Sequence, residues 1–200
     1  MEMGKSQALR STNRLGVRQI AFVGMLSAVS IILGLSGYGF IPLPMAKATI
    51  MQVPVIIGAI LEGPVVGAMI GLLFGLFSIF QSVTAPNLLS FAFINPLVSV
   101  LPRVLIGITA YYAYTWTPGK HEGARVGVGA VVGSLTNTFG VLTMIYLIYA
   151  AQFAQARGID LASAAKVIYG IAVVNGIPEA LIATAISIPI VTAVKKRYKS

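Results

Sequence analysis

The sequence predicts an all-α integral membrane protein, a bundle of six transmembrane helices with the N- and C-termini both cytoplasmic. Three observations predict it. Of 200 residues, 57% are hydrophobic and 10% charged, whereas a soluble domain carries about 25% charged residues. Apolar runs of a length suited to a ~30 Å hydrocarbon layer recur along the chain. The charges gather at the two ends and in short connections between those runs. The mean hydropathy of +0.90 agrees. A net charge of +9, from 14 Lys and Arg against 5 Asp and Glu, does not point to nucleic acid, which needs basic residues gathered on a folded polar face. There is no cysteine and His121 is the only histidine. Disulfides, thiolate chemistry and histidine metal clusters are therefore excluded, and no cofactor is expected.

Each span has its own justification. The first runs from Val17 to Leu35. It follows basic Lys5, Arg10, Arg14 and Arg18, as a signal peptide would, but is too long for one and lacks a clear small-residue cleavage site after Ser36. The second, Ala48 to Leu61, is short and contains Pro54. The third, Pro64 to Phe80, opens with proline in the first turn, where its missing N–H costs nothing. The fourth runs from Pro96 to Tyr114, the fifth from Val126 to Ala151, and the sixth from Ala164 to Val194, long enough to tilt or project. The chain is thus one membrane domain over 1–200: a basic segment at 1–16, the bundle at 17–194 and a basic tail at 195–200.

Basic residues set the expected orientation. With the N-terminus inside, Lys5, Arg10, Arg14, Arg18, Lys120, Arg125, Lys195, Lys196, Arg197 and Lys199 are internal, and only Lys47, Arg157 and Lys166 external. The C-terminal basic run is equally suited to anionic lipid. The outer connections, Ser36 to Lys47, Gln81 to Asn95 and Gln152 to Ser163, are long, whereas Glu62-Gly63-Pro64 is a tight inner turn. The first outer loop sets Gly37, Gly39, Pro42 and Pro44 around Tyr38 and Phe40. Those aromatics suit either a lid over an outward-facing site or simple interfacial anchoring.

Small residues recur at every fourth position: Gly67, Gly71 and Gly75; Gly24 and Ala28, with Ala21 beside them; Ala172, Gly176, Ala180 and Thr184. Such faces let helix backbones approach closely in lipid. On the third span this reads as internal packing. On the first, packing and docking of another membrane protein are both open.

Polar groups inside spans are costly and mark function by default. Glu179 is the one acid deep in a span, with Asn175 a turn before it and Pro178 between. Arg103 follows Pro102, Asn137 lies between Thr136 and Thr138, and Gln52 lies a turn from the outer end of the second span. Together they predict a polar pocket in the outer half of the bundle, with Gln52, Arg103, Asn137 and Asn175 as hydrogen-bonding groups. Arg103 suits a ligand carboxylate or phosphate, whose two oxygens match its fork. An internal Arg103–Glu179 pair is the other reading, and Glu179 equally suits a proton or Na⁺ site. Catalysis has no support: no Ser-His pair, paired carboxylates or glycine-lysine phosphate loop occurs.

The run Thr49-Ile50-Met51-Gln52-Val53-Pro54 through Glu62-Gly63-Pro64, leading into the Gly67/Gly71/Gly75 stripe, resembles the second and third spans of the substrate-binding S components of energy-coupling factor (ECF) vitamin transporters. Pro102-Arg103-Val104, Ser134-Leu135-Thr136-Asn137-Thr138 and Asn175-Gly176-Ile177-Pro178-Glu179 fit the same family. Within it the pattern looks most like the pantothenate-type members. The resemblance implies a bacterial plasma-membrane subunit that binds a small water-soluble vitamin under the loop joining spans one and two. It implies substrate contacts at Gln52, Arg103, Asn137, Asn175, Glu179 and Tyr38. It also implies docking to a shared transmembrane subunit, served by two ATPases, through a small-residue face. That face departs from alanine-x-x-x-alanine: Met25 follows Ala21 by four, so Gly24 and Ala28 would serve with Ala21. The contrasting expectation is a self-sufficient secondary transporter coupled to protons or Na⁺ through Glu179.

Overall fold

Five helical segments of the chain are long and apolar enough to cross a bilayer, among the residues described. The computed structural model describes residues 15–42, 47–119 and 121–199; Lys5, Arg10, Arg14, Pro44 and Lys120 lie outside them. In chain order the elements are α1 (Val17–Ser36), strands β1 (Phe40–Pro42) and β2 (Lys47–Thr49), α2 (Val53–Glu62), α3 (Pro64–Thr84), α4 (Ser90–Phe93), α5 (Pro96–Ser99), α6 (Leu101–Trp116), α7 (Glu122–Arg157) and α8 (Leu161–Lys199). The five long segments are α1, α3, the α5–α6 stretch Pro96–Trp116, α7 and α8 up to Arg197.

α2 departs from the expected second span. Residues 47–49 are β2, not helix, and α2 starts at Val53 because Pro54 belongs in a helix's first turn. Ten residues rise only about 15 Å, half the hydrocarbon thickness. Yet Val53 to Ile60 are buried throughout. A helix apolar on every side is stable only when enclosed by other helices, and α2 packs against α1, α3, α6, α7 and α8.

The loop after α1 is likewise not shapeless. Gly37 closes α1 in the left-handed conformation (φ 76°), which glycine adopts without a side-chain clash. β1 and β2 then pair antiparallel, with Phe40 opposite Thr49. The Gly39 N–H donates to the Leu33 carbonyl (2.9 Å) and the Ile50 N–H to that of Gly39 (3.0 Å), fastening the hairpin to α1. The later helices also run past their expected ends: α3 continues to Thr84, α6 to Trp116, α7 spans Glu122–Arg157 past a non-helical Tyr149 (φ −129°, ψ 23°), and α8 spans Leu161–Lys199.

Close packing explains the glycine stripe on α3. A Cβ on Gly67 would collide with Ala59 and Gly107, and one on Gly75 would lie 2.7 Å from the Val100 Cα. At Gly71 the obstacle is the Arg103 backbone itself. α3 and α6 therefore touch backbone to backbone, and this spacing positions Arg103. α1 buries only Val23, Ser27, Ser30 and Gly34. Its remaining faces, with Val17, Ile20, Met25, Ile32 and Leu35, are exposed.

The end of the bundle away from the hairpin is tied by a polar knot. Tyr114 donates to Glu122 (2.8 Å), Lys195 pairs with Glu122 (2.8 Å) and hydrogen-bonds Tyr114, and Arg125 stacks on the Tyr114 ring (4.5 Å). Arg18 pairs with Glu62 (2.5 Å), joining α1 to the α2–α3 turn.

Candidate functional site

A cavity of about 460 Å³ opens at the end of the bundle that carries the β1–β2 hairpin, in the size range of small-molecule sites. Phe40 and Thr49 of the hairpin border it, α3 contributes Phe74, Ser78, Gln81 and Ser82, and the α4 region contributes Asn87 and Phe93. Arg103 comes from α6, Asn137 and Thr138 from α7, and Asn175 and Glu179 from α8. Four of the six residues expected from the sequence therefore come together here.

Arg103 is 6% exposed. Its Nη1 donates to the Val98 carbonyl (2.7 Å), which anchors the guanidinium at the start of α6. The Phe74 and Phe93 rings lie 5.5 and 5.4 Å from its centre, within cation–π range. Its Nε is buried without a partner, and so are Asn137 Oδ1 and Asn175 Oδ1. Buried polar atoms are rarely left unpaired. All three belong to residues that line the cavity, although the atoms themselves are closed off from it.

Glu179 is 2% exposed, and both of its oxygens are engaged. One accepts the Thr49 N–H (2.7 Å) and the other the Thr138 hydroxyl. The ion pairs of the described residues do not join it to Arg103. Val174, four residues before Pro178, loses its helical donor, since proline has no N–H.

The other two expected residues lie elsewhere. Gln52 is fully buried beside the cavity, not in its lining; its carboxamide accepts from Thr49 Oγ1 (3.1 Å) and donates to Ser134 Oγ (3.3 Å). These two bonds tie it to the hairpin side and to α7. Tyr38 is 82% exposed and outside the lining, because it sits in the turn between α1 and β1. On α1, Ala21, Gly24 and Ala28 are all exposed, and nothing lies within 4 Å of a Cβ built on Gly24.

Sequence reasoning missed the α3 contribution. Ser78, Gln81 and Ser82 share one helix face at spacings of three and four, a polar patch at the end of an apolar span that carried the signal. Arg157 also lines the cavity; it lies eight residues beyond Tyr149, where α7 leaves helical geometry.

Residues 18–191 match the model of the family described as ECF transporter, substrate-specific component. The chain is 32% identical over 171 residues to the pantothenic acid transporter PanT of Lactococcus lactis subsp. cremoris, covering 78% of this chain and 81% of that protein. It is 35% identical over 130 residues to the pantothenate transporter PanT of Leuconostoc mesenteroides subsp. mesenteroides, covering 60% of this chain and 64% of that one.

Proposed function

The chain belongs to the family of substrate-specific components of ECF transporters, and on that premise we propose that its outer cavity binds pantothenate for ATP-driven import. Members of this family are non-catalytic substrate-binding subunits, and this chain is a multi-pass protein of the bacterial plasma membrane.

The observation that carries the substrate is a buried guanidinium, Arg103, in the cavity lining together with the carboxamides of Asn137 and Asn175. Pantothenate offers a carboxylate, an amide and two hydroxyls. The carboxylate meets Arg103, where a charge-assisted bond is strongest. The hydroxyls and amide meet Asn137 and Asn175, since each carboxamide both donates and accepts. The methyl groups of the ligand rest on apolar walls such as Phe74, Phe93 and Leu142. The two relatives named for pantothenate transport support the same choice.

The rest of the arrangement follows the family. α2 together with the hairpin makes a sixth crossing, which the burial of α2 permits despite its length. Both termini are cytoplasmic, so the cavity faces outward. The exposed Ala21, Gly24 and Ala28 face docks on the transmembrane partner, whose two ATPases supply the energy.

Equilibrium binding of radiolabelled pantothenate to the purified protein tests the reading. Tight binding is expected, weakened more than tenfold by Arg103→Ala and by Asn175→Ala. Tight binding of a different vitamin, with none of pantothenate, would overturn the substrate and leave the family intact.

A further inference from the structure

Glu179 has the position of a ligand residue but the bonding of a structural one. It lines the cavity, yet both carboxylate oxygens are occupied by the protein. One partner is the Thr49 N–H, at the end of β2. A two-stranded hairpin leaves an outward row of N–H and C=O groups on each strand, and alone it is marginal in stability. Here the outward N–H nearest the cavity is taken by a carboxylate from α8. The other partner, the Thr138 hydroxyl, belongs to α7. A single buried acid thus joins the hairpin, α7 and α8 at the border of the cavity.

We propose that Glu179 is a positioning residue, the latch that holds the β1–β2 hairpin against α7 and α8 over the bound substrate. The inference rests on the cavity being the substrate site. Each arm of the latch adjoins a ligand group: Asn175 lies one turn before Glu179 on α8, and Asn137 directly precedes Thr138 on α7. A guest that bridges Asn137 and Asn175 fixes the two helices whose spacing the latch requires. Binding therefore tightens the latch, and the latch in turn slows escape of the guest. By this reading Glu179 neither touches pantothenate nor carries a coupled ion.

Hydrogen exchange of the Thr49 amide reports the latch directly, in the full chain reconstituted in lipid nanodiscs without ligand. Glu179→Ala is expected to speed that exchange by about ten- to a hundredfold, the span for losing a hydrogen bond to a charged group. Pantothenate dissociation should speed up by at least tenfold in the same variant. Glu179→Gln should retain most of both, because its amide oxygen can still accept from Thr49 while Thr138 accepts from its NH₂. Thr138→Val, which removes one arm, should fall between and keeps the test open if Glu179→Ala does not fold. Unchanged Thr49 exchange in both Glu179→Ala and Thr138→Val overturns the latch. If affinity still falls, Glu179 is a ligand residue; if Gln and Ala equally abolish uptake, it is an ion-coupling site. Failure of pantothenate to bind at all removes the substrate reading, while the exchange of ligand-free protein still decides the latch.

Discussion

Gly71→Ala and Gly24→Ala make a matched pair whose opposite outcomes follow from the packing. At Gly71 an added Cβ would lie 2.7 Å from the Arg103 carbonyl carbon and closer to its oxygen. Ordinary contact begins at 3.4 Å, so α3 and α6 must separate by at least 0.7 Å. The obstacle is backbone, which cannot rotate away. Overpacking of this kind costs about 1–3 kcal/mol, of which alanine's helix propensity offsets about 1 kcal/mol. At Gly24 the Cβ meets nothing within 4 Å, so only the propensity gain of about 1 kcal/mol remains. The two variants should therefore differ by roughly 1–3 kcal/mol. At about 2–4 °C per kcal/mol for a chain of this size, Gly71→Ala should melt several degrees below Gly24→Ala in the same detergent. Because the displaced backbone is that of Arg103, Gly71→Ala should also weaken pantothenate binding by about tenfold, as misplacement of a positioned group does. Gly24→Ala should leave it unchanged. Equal melting temperatures and equal affinities would refute the claim that the α3–α6 spacing holds Arg103 in place.

Four further substitutions probe separate parts of the molecule. Gln52→Leu leaves Ser134 and Thr49 without their partner and should lower stability by about 1–3 kcal/mol in thermal unfolding, while Tyr38→Ala should leave pantothenate affinity within twofold by isothermal calorimetry. Glu122→Gln loosens the bonds to Tyr114 and Lys195 at the end away from the cavity; partly exposed, it should cost about 1–2 kcal/mol without altering affinity. Gly24→Leu should retain pantothenate binding but lose ATP-driven uptake in cells that supply the ATPase subunits; normal uptake would remove this α1 face from the docking surface.

Some of this protein is decided by local chemistry and is therefore written in the sequence. A bilayer core offers backbone groups no water, so apolar runs such as those of α1, α3 and α8 must be helices. The same solvent makes polar residues rare, and rarity alone picks out Arg103, Asn137, Asn175 and Glu179, all four of which line the cavity. Other features depend on what a residue meets across the fold. Gln52 is as polar as Asn137 and stands out more sharply between Met51 and Val53, but Ser134 and Thr49 claim its carboxamide. The partners of the two Glu179 oxygens, Thr49 at 130 residues away and Thr138 at 41, are likewise set by the fold. α2 is too short to be recognised by length and is stable because five other helices enclose it. Hydropathy and spacing reside in each segment by itself and determine which stretches become helix and which residues are costly to bury. Hydrogen-bond partners and backbone clearance exist only between segments, so the packed bundle alone decides which costly residues are bonded within the protein and which line the cavity.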